Sequence, residues 1–508
     1  MALADFAAGL QRPLGRLVDA LGDPRRQHRT AAALIVIYVL LWWAYAVVAK
    51  SSQGIHFDMA EQFSWSLHPA FGYSKHPPFA AWLLTAWFAV FPRADWAYYL
   101  GAIAAVGVGL WFIWLIIART VEGGEKRAVA LMFLTFAPIF NFQPLKYNLN
   151  AALIPVWAAA CWLFLRSLQE RTLVWGALAG VGAGIAMLTK YWSIFLIVAM
   201  IVAALADPRR RLYLRSPAPW AAVIAGAIVL APNIASLWAY DFQPFAYASG
   251  GHATRTVLGA LVTAFGYLTG VFYIAGSFVA LALAARPDAE AWRDMLWPRE
   301  TERRLMATVT AVALLLPVAV ALAMEVEVRP LWTMPCWAML PAMLLSSPRV
   351  TVTRRAAAAV VAVAYGIAVL MLAVSPVVAL LVFKQGISHS AIYEKAVAQT
   401  VDRLWTYGRP LRYVTGSEDL AWACTFYCAD RPDALPAFSF AQAPWIDRAD
   451  MMRKGYVALC ETEDRRCIDA TRAFAGADAV ERTETLVSRF FGTSSAPRQF
   501  TFFLSPPR

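Results

Sequence analysis

Acidic, basic and imidazole side chains are gathered in one short polar segment, residues 50–97, of an otherwise apolar chain. The segment contains three of the six histidines, His56, His68 and His76, and with them Asp58, Glu61 and Lys75. Asp58 and Glu61 are three residues apart, a spacing that places both side chains on one face of a helix. An acid beside cations that suit a phosphate indicates group transfer. The alternative is a solvated loop whose acids merely face water.

The composition requires that this segment belong to a membrane protein. The chain of 508 residues is 60% hydrophobic and 15% charged, whereas an ordinary soluble protein is about 45–50% apolar and about 25% charged. A soluble enzyme of this size is therefore excluded, and so is a disordered chain. The net charge of +12 would suit a nucleic-acid partner, but its placement along the chain indicates membrane topology instead.

Apolar runs predict the elements that position the polar segment, because about 20 apolar residues cross a hydrocarbon core about 30 Å thick. Residues 79–92 are too short to cross, and we expect them, like residues 254–264, to lie as helices in the outer interface. The long basic leader favours an uncleaved first span. Eleven spans are predicted, at residues 32–49, 98–118, 128–144, 149–166, 172–188, 191–206, 219–236, 265–284, 305–323, 330–346 and 356–382.

The distribution of Lys and Arg orients these spans, because cytoplasmic loops carry an excess of both. With the N-terminus in the cytoplasm, inner segments hold 22 of them and outer loops before residue 383 hold seven. We therefore expect a basic cytoplasmic segment at 1–31 and a multi-span domain at 32–382. The polar loop 50–97 and a C-terminal domain at 383–508 are expected on the outer side. The excess charge is a topology signal, so no nucleic-acid partner is expected.

Four of the seven outer cations stand at the ends of predicted spans. Each could simply extend to the interface, as basic side chains near span ends usually do. Their convergence on the side of the acidic loop favours a phosphate site, in which Arg presents a planar fork and Lys a point charge. The four are Lys146, Lys190, Arg255 and Arg329.

The segment 383–508 has the charge balance of a soluble domain. Its RYVTG, GYVALC and QFTFFLS stretches alternate as strands do between helical patterns, which predicts a small α/β domain. Outside the cytoplasm, its four cysteines predict a disulfide framework. Of the three possible pairings, the one that joins neighbours in sequence, 424–428 and 460–467, is favoured. Free thiols or a zinc site are the alternatives. The cysteines are Cys424, Cys428, Cys460 and Cys467.

The stretch HFDMAEQFSWSLHPAFGYSKHPPFAAWL resembles the first periplasmic loop of membrane glycosyltransferases of the GT-C fold. It is most similar to the bacterial branch related to protein O-mannosyltransferases and to the aminoarabinose and galacturonic acid transferases of lipid A. LTKYW at 188–192 and RPLW at 329–332 also resemble the family, and the resemblance covers roughly residues 30–345. The matching features are Asp58, the aromatic residues at 63–65, Gly72-Tyr73, and Lys75-His76 before Pro77-Pro78.

The resemblance implies a polytopic α-helical protein of GT-C type in the bacterial inner membrane, with a soluble α/β periplasmic domain. It implies transfer of a sugar from a polyprenyl-phosphate donor to lipid A, lipopolysaccharide core, another glycan or a protein. Membrane lipids would be the other partners. A polytopic transporter or flippase is the alternative, but it should place ionisable residues near the bilayer midplane, and the spans here are almost free of charge.

The resemblance also implies roles for individual residues. Asp58 would serve as base or hydrogen-bond acceptor, with Glu61 orienting it or the acceptor. The donor phosphate would be held by some of Lys75, His76, Lys190, Arg255 and Arg329. Acceptor or sugar contacts are expected from His56, Tyr73, Lys146, Asn148 and Tyr191.

Two features depart from the family pattern. Met59 stands where the family often has a second acid, and residues 146–150 lack the acid that the family tends to carry in the second outer loop. No cofactor is required by the sequence. A divalent metal held by Asp58, Glu61 and His56 is an alternative that stays open.

Overall fold

The computed structural model describes residues 2–251, 254, 256–385, 392–475 and 478–508, and of residues 2–11, 248, 249 and 251 it describes the backbone only. The chain forms two compact units. One, here the helical unit, comprises Met1–Trp43 and Leu100–Met371. The other, here the loop–tail unit, comprises Ala44–Tyr99 and Leu372–Arg508. The segment that contains the polar loop 50–97 therefore folds together with the C-terminal tail.

Helices dominate the described part of the chain. The first twelve are α1 Ala2–Gly22, α2 Gln27–Ala49, α3 Phe57–Ser66, α4 Phe79–Val90, α5 Asp95–Thr120, α6 Gly124–Phe133, α7 Pro138–Asn141, α8 Leu149–Glu170, α9 Leu173–Thr189, α10 Ile194–Ala206, α11 Arg210–Leu214 and α12 Ala218–Ala239. The others are α13 Gln243–Gly251, α14 Val257–Leu268, α15 Ala275–Ala285, α16 Ala289–Leu296, α17 Thr301–Met324, α18 Leu340–Leu345, α19 Arg354–Gln385, α20 Glu394–Leu404, α21 Glu418–Tyr427, α22 Arg448–Lys454 and α23 Arg465–Ala475. Short 3₁₀ segments lie at Leu134–Phe136, Gln143–Lys146, Tyr191–Ser193, Thr269–Ile274 and Pro330–Met339.

Seven helices of the described residues are long and apolar enough to cross a membrane, which confirms the polytopic fold. An eighth would be the pair Gly124–Phe136 and Pro138–Lys146, bent by 82° where a single span was predicted. Shorter apolar helices occupy the three remaining predicted spans, so the number eleven is not established. The short helices are Leu173–Thr189, Tyr191–Ala206 and Pro330–Leu345.

The prediction of a separate interfacial helix at 254–264 is wrong. Thr256 caps α14 by accepting a hydrogen bond from the backbone N–H of Gly259, and helical structure continues through Thr269–Ile274 into α15. Val257–Ala285 is thus one apolar stretch of 29 residues. No proline or charge interrupts it, so nothing in the sequence ends the helix at residue 264. The other expected interfacial segment forms α4, a helix of 12 residues.

Small residues allow close helix packing in the helical unit. Gly176 and Gly180, one turn apart on α9, lie against the backbone of Ala218 and Ala222 on α12, and a Cβ at either glycine would overlap a carbonyl oxygen there. Such spacing of small residues is a common means by which apolar helices approach closely in membranes. A side chain larger than hydrogen at position 176 or 180 would separate α9 from α12.

The tail contains a five-stranded sheet in the order β2-β1-β3-β7-β4, which confirms the predicted α/β domain. β1 pairs in parallel with β2 and β3, whereas β7 is antiparallel to β3 and β4. The three predicted stretches form β1, β3 and β7, and β5 and β6 make a separate hairpin. The strands are β1 Tyr413–Gly416, β2 Asp433–Pro436, β3 Tyr456–Glu461, β4 Val480–Leu486, β5 Arg489–Phe490, β6 Thr493–Ser494 and β7 Arg498–Ser505.

The structure contains one of the two favoured cysteine pairs. Cys460 on β3 and Cys467 on α23 form a disulfide across seven residues, with their Cα atoms 5.8 Å apart. Cys424 and Cys428 are buried thiols on and just after α21. The bridge 424–428 that was favoured from spacing is not formed: both cysteines are free thiols, and the Sγ atom of Cys428 lies 3.7 Å from the carbonyl oxygen of Ala398.

Candidate active site

Asp58 occupies the first turn of α3 in the loop–tail unit. His56 caps this helix, its Nδ1 accepting a hydrogen bond from the backbone N–H of Asp58 at 3.2 Å. The Asp58 carboxylate lies 3.6 Å from the same nitrogen, and a quarter of its side chain is exposed. A carboxylate in the first turn is also stabilised by the helix dipole. The acid that was predicted to be catalytic is therefore fixed at a helix start and partly open to solvent.

Glu61 lies one turn further along α3 and pairs with Lys75. Its Oε1 atom is 2.9 Å from Nζ of Lys75, and both side chains are nearly buried. Burial raises the pKa of Glu61 to about 7, the nearby charge and hydrogen bond of Lys75 lower it, and the charges of Asp58 and Glu418 raise it. The structure thus brings together Asp58, Glu61 and Lys75. Because burial raises its pKa, Glu61 exchanges its proton near neutral pH.

Helix α21 of the tail adds side chains that sequence reasoning missed. Glu418 Oε2 lies 4.0 Å from Lys75 Nζ, and the ring of Trp422 lies 4.9 Å from the same atom. Burial raises the pKa of Asp419, and the charges of Glu418 and Asp58 raise it further. Two acids in the first turn are an ordinary helix-start signal. Nothing local to the SEDLAWAC stretch indicates that it lies beside a loop more than 340 residues earlier.

Aromatic contacts hold the second half of the loop. Tyr73 stacks on Trp65 with ring centroids 5.0 Å apart, and its hydroxyl lies 3.0 Å from the carbonyl oxygens of Trp65 and His68. The ring of His76 meets the edge of Trp65 at 5.8 Å. His68 stacks on Trp445 of the tail at 4.9 Å. Tyr73, predicted to contact a sugar, thus engages its hydroxyl inside the loop.

The start of the loop is held by a buried polar cluster. The backbone N–H of Ile55 donates to the hydroxyl of Tyr427 at 2.8 Å, and that hydroxyl donates to Asp95 at 2.9 Å. Glu394 is 2% exposed, and its Oε2 atom has no hydrogen-bond partner among the described residues. Burial raises the pKa of Glu394 well above its ordinary value. A Cβ on Gly54 would overlap the Glu394 carboxyl group, so these two residues are in close contact.

Phe63 gives the loop its main apolar contact with α21. Its ring lies 4.9 Å from that of Phe426 and 5.2 Å from that of Phe88 on α4. Arg93, which follows α4, donates from Nη1 to the carbonyl oxygens of Thr425 and Cys428 at 3.2 and 2.8 Å. Phe63, which follows the two loop acids on α3, is therefore structural, since it packs the helix against α4 and α21.

The other predicted site residues lie in the helical unit. Lys190 donates to Asn150 Oδ1 at 2.7 Å and lies 4.6 Å from the ring of Trp332. Tyr191 donates to Asn233 at 3.2 Å and stacks on Phe245. These contacts link the LTKYW and RPLW stretches within one unit.

Three further predicted residues of this unit have separate roles. Asn148 caps α8 by accepting from the backbone N–H groups of Asn150 and Ala151. Lys146 ends a 3₁₀ segment. Arg329 is 56% exposed at its side chain and pairs with Glu327 at 2.9 Å. Arg255 lies outside the described residues. Within the part of the chain that the structure describes, no set of three His, Cys, Asp or Glu is arranged to hold a metal.

Known proteins are similar to much of this chain. Residues 75–236 match the family model of dolichyl-phosphate-mannose-protein mannosyltransferase. The lipopolysaccharide core galacturonosyltransferase RgtB of Rhizobium johnstonii is 26% identical over 336 residues, which are 62% of this chain and 65% of RgtB. RgtA of the same organism is 24% identical over 63% of this chain and 65% of the RgtA chain. The lipid A galacturonosyltransferase RgtD is 22% identical over 40% of this chain and 42% of its own. The chain thus spans somewhat less than two thirds of the length of the first two relatives.

Two solved structures extend the similarity to nearly the whole chain. ArnT from Cupriavidus metallidurans bound to undecaprenyl phosphate superposes with a TM-score of 0.57 at 15% identity, covering 92% of this chain and 97% of ArnT. Its apo state gives 0.58 at 14% identity, covering 93% and 97%. This chain has the GT-C fold. These similarities confirm the resemblance, predicted from the polar loop 50–97, to glycosyltransferases related to lipid A-modifying enzymes. The chain is a multi-pass membrane protein.

Proposed function

We propose that this protein transfers a sugar from a polyprenyl-phosphate donor to lipid A or lipopolysaccharide core at the outer face of the bacterial inner membrane. One observation carries the proposal: 92% of the chain shares the fold of ArnT, whose structure holds undecaprenyl phosphate. The relatives that act on lipopolysaccharide core or lipid A favour these acceptors over a protein. Because all three relatives are galacturonosyltransferases, galacturonic acid is the first sugar to test.

The loop–tail unit supplies an acid and a cation for such a reaction. An acceptor hydroxyl attacks the anomeric carbon, a new carbon–oxygen bond forms, and the bond from that carbon to the lipid phosphate breaks. The bonding electrons leave with the polyprenyl phosphate, and the hydroxyl proton passes to Asp58, which is partly open to solvent. Lys75 stabilises the negative charge of the departing phosphate. Glu61 positions the Lys75 ammonium through their 2.9 Å contact.

The remaining roles stay proposals drawn from the sequence pattern. Additional phosphate contacts are assigned to His76, Lys190, Arg255 and Arg329. Contacts with the acceptor or the sugar are assigned to His56, Tyr73, Lys146, Asn148 and Tyr191.

The outer location of the loop and tail is also a proposal. The excess of Lys and Arg in alternate loops supports a cytoplasmic N-terminus and a periplasmic tail. The Cys460–Cys467 disulfide supports the same orientation, since such bonds persist in oxidising compartments. Fusion of alkaline phosphatase to the C-terminus should give an active reporter, and an inactive one would overturn the orientation.

The function is tested with purified protein in lipid, radiolabelled undecaprenyl-phosphate galacturonic acid, and lipid A or lipopolysaccharide core as acceptor. The protein is compared with Asp58→Asn and with Asp469→Asn, a matched change at an exposed residue of α23. We expect transfer by the unchanged protein and by Asp469→Asn, and a loss of about 100-fold or more in Asp58→Asn.

The outcomes separate the class of reaction from the role of Asp58. Equal transfer by all three proteins would support the proposed sugar transfer but show that Asp58 is not the group that accepts the hydroxyl proton. Transfer of a hexose or an aminopentose, but not of galacturonic acid, would correct the sugar. An absence of transfer from any of these donors, with movement of a lipid-linked solute across the bilayer, would replace the proposal by a transporter or flippase.

A further inference from the structure

The β5–β6 hairpin exposes apolar side chains that a soluble domain would ordinarily bury. Within residues 392–475 and 478–508, three large hydrophobic residues are exposed: Val480 at 39%, Val487 at 42% and Phe491 at 83%. Two of these three lie within five residues of each other, immediately before and at the turn of the hairpin. The most exposed aromatic side chain of the tail therefore stands at a projecting tip.

The backbone at this tip is unfavourable for the residue that it carries. The pairing of Arg489 with Ser494 and of Phe490 with Thr493 leaves a loop of two residues, Phe491 and Gly492. Their φ angles are 43° and 74°, the left-handed pattern of a type I′ turn, which favours Asn, Asp or Gly at both positions. A bulky side chain at positive φ is uncommon and strained. If only the turn mattered, Asn, Asp or Gly would therefore be favoured over Phe at position 491.

The hairpin lies at the C-terminal end of an apolar span. The ring of Phe490 packs on Phe383, 5.7 Å away, in the last turn of α19. The 28 residues from Ala356 to Phe383 carry no charge and extend over about 42 Å. That length matches a bilayer of about 40–45 Å with its headgroup regions. Val377 and Leu381 are 58% and 48% exposed, so α19 still presents apolar side chains outward close to Phe383.

We propose that residues 487–492, here called the aromatic tip, insert into the outer headgroup region of the bilayer and anchor the tail domain to it. Phe491 and Val487 supply the apolar surface, and aromatic side chains at a membrane interface bind in this way. Arg489 is exposed beside them, and its guanidinium suits lipid phosphates. The lipid contact compensates the strain at Phe491. This role is independent of the sugar transfer proposed above.

The test uses single cysteines in the full-length protein. Val487→Cys, which keeps the Phe491 ring, is labelled with the environment-sensitive fluorophore NBD in lipid nanodiscs, with Val480→Cys as the control. The four free native thiols are buried and the other two are bridged, so the introduced cysteine is the accessible one. Val480 lies at the far end of β4, about 20 Å along the strand from the hairpin. Nanodiscs are prepared with and without lipid that carries a doxyl quencher at carbon 5.

The proposal predicts a blue-shifted emission at position 487 and roughly twofold quenching by the shallow doxyl lipid, with little change at 480. Unquenched emission at 487, or equal quenching at both positions, would overturn it. A blue shift at 487 without doxyl quenching would also overturn it, because another protein chain and not lipid would then cover the tip.

A second variant separates the anchor from the fold of the hairpin. Asn tolerates positive φ, so Phe491→Asn removes the aromatic ring while keeping or improving the turn. With NBD at Val487→Cys, we expect quenching by doxyl lipid to fall about twofold or more when Phe491→Asn is added. Unchanged quenching at 487 would show that the ring does not hold the tip in the membrane.

Discussion

The Nε2 atom of His68 lies 2.6 Å from Oδ1 of Asp433, 365 residues further along the chain. Asp433 begins β2, the edge strand of the tail sheet, and the ring of His68 also stacks on Trp445. The conformation of the polar loop 50–97 is therefore held partly by the tail.

Of the two tail residues that contact His68, we expect the loss of the Trp445 side chain to destabilise the loop more than a change of Asp433. The His68–Asp433 pair is about 30% exposed on both sides, so Asp433→Asn should cost about 1 kcal/mol or less. Trp445→Ala removes a stacked ring and should cost about 2–3 kcal/mol. Thermal unfolding and the rate of proteolysis between residues 66 and 78 measure both effects. A larger effect of Asp433→Asn than of Trp445→Ala would contradict this order.

The raised pKa of Glu61 predicts a pH-dependent stability. Between about pH 4.5 and about 7 the unfolded chain releases a proton that the folded chain keeps, so stability falls as pH rises through that window. Glu61→Gln lacks this fall. The unfolding free energy of the unchanged protein, minus that of Glu61→Gln, should therefore decrease by on the order of 2–3 kcal/mol from pH 4.5 to pH 8.

Glu463→Gln, at an exposed residue of the same unit, is the control for this titration. It should leave the pH profile of thermal unfolding unchanged. A difference between the protein and Glu61→Gln that is constant from pH 4.5 to 8 would show that Glu61 keeps an ordinary pKa in the folded state.

Close packing between Gly54 and Glu394 predicts a specific coupling. Gly54→Ala should destabilise the protein by about 1–3 kcal/mol, since its Cβ meets the buried Glu394 carboxyl group. Glu394→Ala should remove much of that penalty in the double variant, a coupling of about 1 kcal/mol or more. Gly366→Ala, which has nothing within 4 Å of its Cβ, should be nearly neutral. Additive effects of the two changes in thermal unfolding would contradict the contact.

The cysteine arrangement predicts a simple count of reactive thiols. Denatured, unreduced protein should take four alkyl groups, at Cys161, Cys336, Cys424 and Cys428, and two more after reduction. Intact-mass spectrometry counts them. Two groups before reduction would mean that Cys424 and Cys428 also form a bridge, and six would mean that no bridge exists.

Local sequence signals were sufficient to predict secondary-structure elements but not the distant segments against which those elements pack. The spacing of Asp58 and Glu61 correctly placed both on one short helix, and alternation correctly identified the strands that contain Tyr413, Tyr456 and Phe502. Glu418, Trp422 and Trp445 escaped prediction because their proximity to the loop is a tertiary fact, carried by no nearby residue. One sequence shows which segments are helices and strands, and it does not show which distant segments pack together.

In the membrane-spanning part, the positions of long apolar helices were predictable from composition. The places where helices bend or continue were less predictable. Charge-free apolar length located α2, α5, α8 and α19. The 82° bend within 124–146 and the run of helix from Val257 to Ala285 depend on how backbone hydrogen bonds continue or break, which apolar length does not report.

The loop–tail unit is assembled from two stretches separated by Leu100–Met371. Those 272 residues take roughly 14–54 s to synthesise at about 5–20 residues per second. Throughout that interval Phe63 lacks Phe426, and the buried acid Glu61 lacks the α21 helix that covers it. The nascent loop therefore exposes an incomplete surface during that interval, and the rate of translation sets how long this exposure lasts.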